Sequence, residues 1–343
     1  MRAVQYSDFR SVPTVVELPE PVLPPHGVLV RVRATGVCRS DWHAWTGHDD
    51  SVSLPHVPGH EFAGEVAAVG AEVRRTAVGD RVTAPFIFAC GECEQCLAGA
   101  TQVCTAQQQP GFDLPGSYAE LVMVPHADLN VVTLPDAVGF AEAASLGCRF
   151  GTAYHALHTR GRVVAGEWVS VFGCGGVGLS TVQVAVAAGA HVVASDVSAA
   201  ALGRAAELGA QTVVMGDDAV DRIRTLTAGG AHVSVDAFGS RATSAAAVAT
   251  LRPRGRHVQV GLLLGDEATP AIPMGRVIGD ELELLGSHGI AVAEYAAMLE
   301  DVVAGRLRPA DSIGRTIAFE ELPGAIMAMD RPATGSGMVV ATW

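Results

Sequence analysis

The sequence contains no lysine, so all 23 of its basic side chains are arginines. That excludes a lysine Schiff base or a lysine general base. Basic clusters are missing as well: the formal charge is −13 and the pI lies near 5.3, the wrong balance for displacing counterions from a polyanion. Nucleic acid is therefore excluded as a partner. Long apolar runs are also absent. The richest, Val177 to Ser195, is broken by Ser180, Thr181, Gln183 and His191, too polar for a membrane span. The start, Met1 to Asp8, lacks the apolar core of a signal peptide, which points to a cytoplasmic protein. No internal repeat or low-complexity tract interrupts the chain.

What is present suits two domains of unequal size, because 343 residues exceed what one compact core holds. From Val28 to Thr35 apolar and polar positions alternate, with Arg31 and Arg33 on the polar face, as in a half-buried strand. Similar pieces recur at Phe62 to Val69, Asp80 to Ala84 and Ala119 to Val124, separated by Gly, Pro and Asp. Around Phe150 the texture changes to strands alternating with helices. Strands are expected at Trp168 to Phe172, His191 to Ser195, Thr212 to Met215, Val233 to Val235 and His257 to Leu262. Helices are expected to about Ala188, over Ser198 to Leu208 with Gly209 as its stop, and over Ala219 to Thr227 and Arg241 to Leu251. This rhythm predicts an α/β fold with a doubly wound parallel sheet beside a β-rich unit. Val292 to Val303 reads as a helix, and the tail from Thr316 to Trp343 is expected to rejoin the β-rich unit.

Three constellations carry chemistry. In Gly173-x-Gly175-x-x-Gly178, with Gly176 and Val177 inside it, the glycines permit a tight turn, close approach of a pyrophosphate and close packing of helix on strand. A strand precedes the motif and a helix follows. Asp196 ends the next strand, where a carboxylate suits ribose hydroxyls and repels a 2′-phosphate, so NAD is expected over NADP. Cys174 inside the loop reads as a small packing residue.

The second constellation is Cys90, Cys93, Cys96 and Cys104 on one glycine-containing loop, a spacing that can wrap one tetrahedral zinc and leave no open position. An iron-sulfur cluster or redox thiols remain alternatives from spacing alone. The third runs from Cys38 to Glu61 and holds Ser40, Asp41, His43 and His60. Cys38 and His60 are candidate zinc ligands, and Cys148 is the one remaining well-placed cysteine to join them, unless it is an ordinary buried thiol. Arg39 and His43 also read as surface residues; Trp42, Trp45 and Phe86 suit either a substrate pocket or the core.

Together the run Cys38-Arg39-Ser40-Asp41 with His43, Gly59-His60-Glu61, the four-cysteine loop, Gly147-Cys148 with Thr152, the glycine motif and Asp196 resemble the zinc-dependent medium-chain alcohol dehydrogenases over essentially the full length. The resemblance implies a GroES-like catalytic domain from both chain ends, 1–149 and 287–343, with a Rossmann domain, 150–286, inserted between them. It implies two zinc ions, one catalytic on Cys38, His60 and Cys148 with an open fourth position and one structural on the four-cysteine loop. Glu61 would lie behind the catalytic metal, and Asp41 would hold the ligand histidine in one tautomer. Ser40 would bond the substrate oxygen and His43 would complete a proton relay through the cofactor ribose. Arg39 would face the pyrophosphate, all the more because the tail from Gly335 to Trp343 has no basic residue. Thr152 would approach the nicotinamide. The implied activity is hydride exchange between NAD and a small-molecule alcohol, with a homodimer or homotetramer as the assembly.

Overall fold

The computed structural model describes residues 1–331 and 335–343; three residues of the expected tail, 332–334, lie outside them. Seven strands form one sheet about Val28–Val37, whose inward valines Val28, Val30 and Val32 are fully buried while Arg31 is exposed. Phe62–Val69 pairs antiparallel along one edge of this strand. The other edge is shared: Leu121–Val124 pairs with Val28 to Arg31, and Met338–Thr342 with Ala34 to Val37. The end of the chain thus completes a strand near its beginning, as expected for the tail.

The second sheet has six strands, all parallel, in the order Gln211–Val214, His191–Asp196, Trp168–Phe172, Ala231–Asp236, Leu251–Gln259, Glu283–Gly286. Its strand order reverses beside Trp168–Phe172, and in such sheets the crevice at the carboxyl ends of the strands at that switch receives the ligand. The glycine motif begins there. Strand Leu251–Gln259 starts before the expected His257 and stops before Leu262, because the Val260 and Gly261 amides turn back onto the Asp236 carbonyl. The expected helix at Val292 opens as a 3-10 turn, Val292–Glu294, before Tyr295–Val303.

Between the sheets the chain is helical from Phe140 to Arg160, but two stretches, Leu146–Phe150 and Ala156–Arg160, are wound as π-helix. Such widened turns cluster at functional sites. Cys148 lies in the first. Among the described residues no helix is long and apolar enough to cross a membrane.

Candidate active site

The site starts at one helix N-terminus. Asp41, three residues into helix Arg39–Thr46, accepts the Cys38 amide at 2.9 Å, so that the turn carrying the thiol is fixed by the carboxylate. The same carboxylate accepts from Gly59 N at 3.2 Å, Tyr118 OH at 3.2 Å and His60 Nδ1 at 2.8 Å. Asp41 is fully buried, and its four donors satisfy the charge that burial would otherwise penalise. With Nδ1 committed to Asp41, the Nε2 of His60 faces the other way. It is buried and, among the described residues, has no partner of hydrogen-bonding geometry.

That orphan atom is explained by its neighbours. One ligand atom each from Cys38, His60, Glu61 and Cys148 lie within 4.8 Å of one another. Glu61 directly follows His60, just before strand Phe62–Val69, and is fully buried; Cys148 comes from the π-helical turn. The Cys148 thiol and the neighbouring His60 and Arg149 hold the Cys38 thiol well below its ordinary pKa, and the same contact raises Cys148, so Cys38 is the sulfur that ionises first. Burial opposes a charge on His60, but Asp41 and Cys38 hold its ring well above its ordinary value. A proton there stands where anionic donors call for a cation. Zinc binding would displace it and leave the neutral imidazole that a metal requires. The donor set therefore fits zinc.

Arg149, adjacent to Cys148, was not singled out in the sequence. Its Nε lies 3.0 Å from both carboxylate oxygens of Glu61, its backbone N donates to Oε1 at 2.9 Å, its Nη2 forms a second close contact, and Nη1 reaches the Val37 carbonyl at 3.2 Å. Glu61 thus lies beside the metal donors and is held by a guanidinium. Tyr118 is a second omission; neither has a spacing signal, since each acts through a contact far away in sequence.

The remaining residues of the Cys38 stretch divide. Ser40 Oγ is 3.8 Å from Cys38 Sγ. His43 pairs with His48, and burial together with His48 and Arg39 pushes it down to about 4. Arg39 donates to the Met329 carbonyl and stacks on Trp42, its guanidinium carbon 4.1 Å from the ring centroid; neither partner belongs to the glycine loop. Phe86 and Phe112 stand 5.9 and 5.4 Å from the His60 ring, forming an apolar wall at the donor cluster. Trp45 is instead 3% exposed, packs with Tyr6 and Ile326, and donates to the Ser11 carbonyl, so it belongs to the core. Thr152 is buried in the helix that follows Cys148.

At the glycine motif, Gly173 has φ +89°, and a Cβ on Gly178 would lie 1.8 Å from the Gly173 carbonyl oxygen. A Cβ on Gly176 would meet Arg149, while Gly175 faces open space. Helix Gly176–Ala187 begins there without a side-chain cap, leaving its first amides to an anion, the fit expected of a pyrophosphate. Asp196 is half-buried and accepts from Cys174 N at 2.7 Å and Ser198 N at 2.8 Å, so it also clamps the loop, a role the sequence did not disclose. Cys174 packs in the core.

The second cluster is separate. Sulfur separations of 3.5 Å for Cys93–Cys96 and Cys90–Cys104, 3.8 Å for Cys93–Cys104 and 4.0 Å for Cys90–Cys96 suit one ion. Zinc with Zn–S of ~2.3 Å has tetrahedral edges of about 3.8 Å. All seven cysteines are free thiols.

Comparison with known proteins agrees with this geometry. The family model described as the alcohol dehydrogenase GroES-like domain matches residues 24–136, and that described as zinc-binding dehydrogenase matches 176–304. An alcohol dehydrogenase of Geobacillus stearothermophilus is 39% identical over 293 residues, 84% of each chain. An L-threonine 3-dehydrogenase of Sinorhizobium fredii is 32% identical, covering 95% of this chain and 94% of its own. The solved structure of alcohol dehydrogenase TADH from Thermus sp. ATN1 superposes with a TM-score of 0.92 at 31% identity, over 100% of this chain and 99% of the other. With its Rossmann sheet, its GroES-like unit and a donor cluster shaped for a metal, the chain belongs to the zinc-dependent medium-chain dehydrogenase/reductase family of alcohol dehydrogenases.

Proposed function

We propose that this chain catalyses reversible hydride exchange between NAD and a primary or secondary alcohol, apolar or aromatic at the reacting end. The observation that carries the reading is the buried, partnerless Nε2 of His60 beside the sulfurs of Cys38 and Cys148. Zinc on Cys38, His60 and Cys148 supplies a Lewis acid for the substrate oxygen, and NAD supplies the hydride acceptor. Asp41 fixes the His60 tautomer through Nδ1. Ser40 accepts the substrate hydroxyl proton at Oγ as its own Oγ–H proton passes on toward His43; both follow Cys38 on one helix. Phe86 and Phe112 orient the apolar part of the substrate and exclude water from the reacting carbon.

The Gly173 to Gly178 loop and the first turn of helix Gly176–Ala187 bind the pyrophosphate, Asp196 the adenosine ribose, and Thr152 borders the nicotinamide. Arg39 reaches the pyrophosphate by leaving the Met329 carbonyl, its partner in this structure. The Asp196 carboxylate favours NAD over NADP by charge. Cys90, Cys93, Cys96 and Cys104 hold a second, structural zinc. The catalytic domain comprises 1–149 and 287–343 and the cofactor domain 150–286, in a cytoplasmic homodimer or homotetramer. Relatives named for threonine oxidation make the substrate the open variable, so the panel should include amino alcohols beside aliphatic and benzylic alcohols.

The decisive experiment is Ser40→Ala, assayed for NAD reduction and for NAD binding. Turnover is expected to fall by about 10²-fold or more, the range for loss of a positioned acid–base group, with NAD affinity retained. Wild-type turnover in this variant would overturn the mechanism.

A further inference from the structure

Helix Arg39–Thr46 ends in a left-handed turn at Gly47, φ 79°, which folds the next residue back over the helix. His48 thereby comes to lie against His43, their Nδ1 atoms 3.1 Å apart and their ring centroids 5.4 Å apart. At that distance one nitrogen bears the hydrogen and the other accepts it. Trp42 stands edge-on to both rings, at 4.9 and 5.5 Å, and is itself tied to Asp330 by its indole N–H at 2.8 Å. The pair is therefore braced on a third ring. Its two ends differ: His43 is half-buried on the helix that carries Cys38 and Ser40, while His48 is exposed.

We propose that His48 is the outlet of the proton path, acting through His43 and not touching the substrate. The proposal rests on the reading of Ser40 and His43 as a relay. A proton arriving at Nε2 of His43 forms one N–H bond as the Nδ1–H of His43 is passed to Nδ1 of His48. His48 then releases its Nε2 proton to water. Each imidazole gains one N–H bond and loses one, and water takes the last proton as an O–H bond, so no charge accumulates and no electrons move beyond the hydride. The pair is left in the opposite tautomers, which are those that deliver a proton inward for carbonyl reduction. Repeated oxidation requires their return by proton exchange with solvent.

The groups facing His43 agree with brief occupancy. Burial, His48 and Arg39 disfavour its charged form, Cys38 and Asp49 favour it, and the balance pushes it down to about 4. A proton does not rest there.

The test compares His48→Leu, His48→Gln and His43→Gln in the zinc-loaded enzyme. NADH formation and proton release to an indicator dye are followed in a single turnover at low buffer concentration, then with added imidazole. Both His48 variants are expected to keep zinc content and NAD affinity. Their proton release should lag NADH by about three- to tenfold, less than the ~10² of a direct general base because water can stand in, and imidazole should restore it. Synchronous release in both His48 variants with slowed His43→Gln would overturn the outlet and leave the Ser40 and His43 relay standing. If His43→Gln is also unaffected, the relay itself falls. A lag that imidazole does not relieve would make His48 a structural contact and would also overturn the proposal.

Discussion

Replacing Arg149 with methionine should damage this protein more than any single change in its surface ion pairs. Arg149 is 7% exposed and Glu61 0%, so neither charge has water as a substitute partner. Arg149→Met removes the Nε contacts at 3.0 Å and the Nη2 contact to Glu61, and leaves that carboxylate only the Arg149 backbone N–H at 2.9 Å. The Val37 carbonyl loses a donor at 3.2 Å as well. Breaking a buried pair from one side costs about 3–5 kcal/mol, because the remaining charge stays buried. For a cooperative unit of 150–250 residues, ~2–4 °C per kcal/mol translates this into a fall in Tm of about 6–20 °C. The assay is thermal unfolding of the zinc-replete protein, since bound metal itself raises Tm. Glu61→Gln in the same chain should recover a large part of the loss by removing the stranded charge. Arg33→Met, which breaks a pair about 39% and 37% exposed, should cost no more than ~1 kcal/mol. An Arg149→Met protein melting within about 2 °C of the parent would refute the reasoning.

Asp41→Asn should leave the fold intact but loosen metal on Cys38, His60 and Cys148, by about 10–100-fold in affinity, read by competition with a chelator; unchanged zinc retention would count against the role of the 2.8 Å contact to His60. Gly178→Ala forces a carbon against the Gly173 carbonyl and should abolish NAD binding measured by fluorescence, with a loss of stability. Acid should destabilise the protein through its buried histidines: burial lowers His56, His257 and His43. The unfolded chain takes up these protons first, so stability is complete above pH ~6.5 and falls as pH drops below it. Unfolding in denaturant at pH 7.5 and 5.5 should show the decline, and replacing His257 with asparagine should flatten it.

The elements most open to sequence reasoning were those where chemistry is scarce and local. Strands Phe62–Val69 and Trp168–Phe172 end where their apolar runs end, and the glycine motif sits at the strand-to-helix turn that its spacing requires. Cysteine and histidine are rare enough that three distant ones with no other assignment, Cys38, His60 and Cys148, proved to be neighbours. Long-range choices were opaque. Arg149 has no signal because an arginine beside a cysteine looks like any surface charge, and its partner lies 88 residues away. Trp45 read equally well as pocket or core until Tyr6 and Ile326 closed over it. Arg39 donates to the carbonyl of Met329, 290 residues away, a partner that composition does not point to. The π-helical winding has no periodicity that five residues could display.

That winding has a consequence for what the chain tolerates. In Leu146–Phe150 one surplus residue is carried in a single widened turn, and the sulfur of Cys148 takes its bearing from it. Each residue of an ordinary helix advances the azimuth by about 100°. Deleting one residue from this stretch would regularise the helix, a change that usually strengthens one, and would swing the thiol to another side. A shorter and locally more perfect backbone would then be a poorer holder of metal, so here the irregular turn sets the chemistry and the length of the chain cannot be trimmed without it.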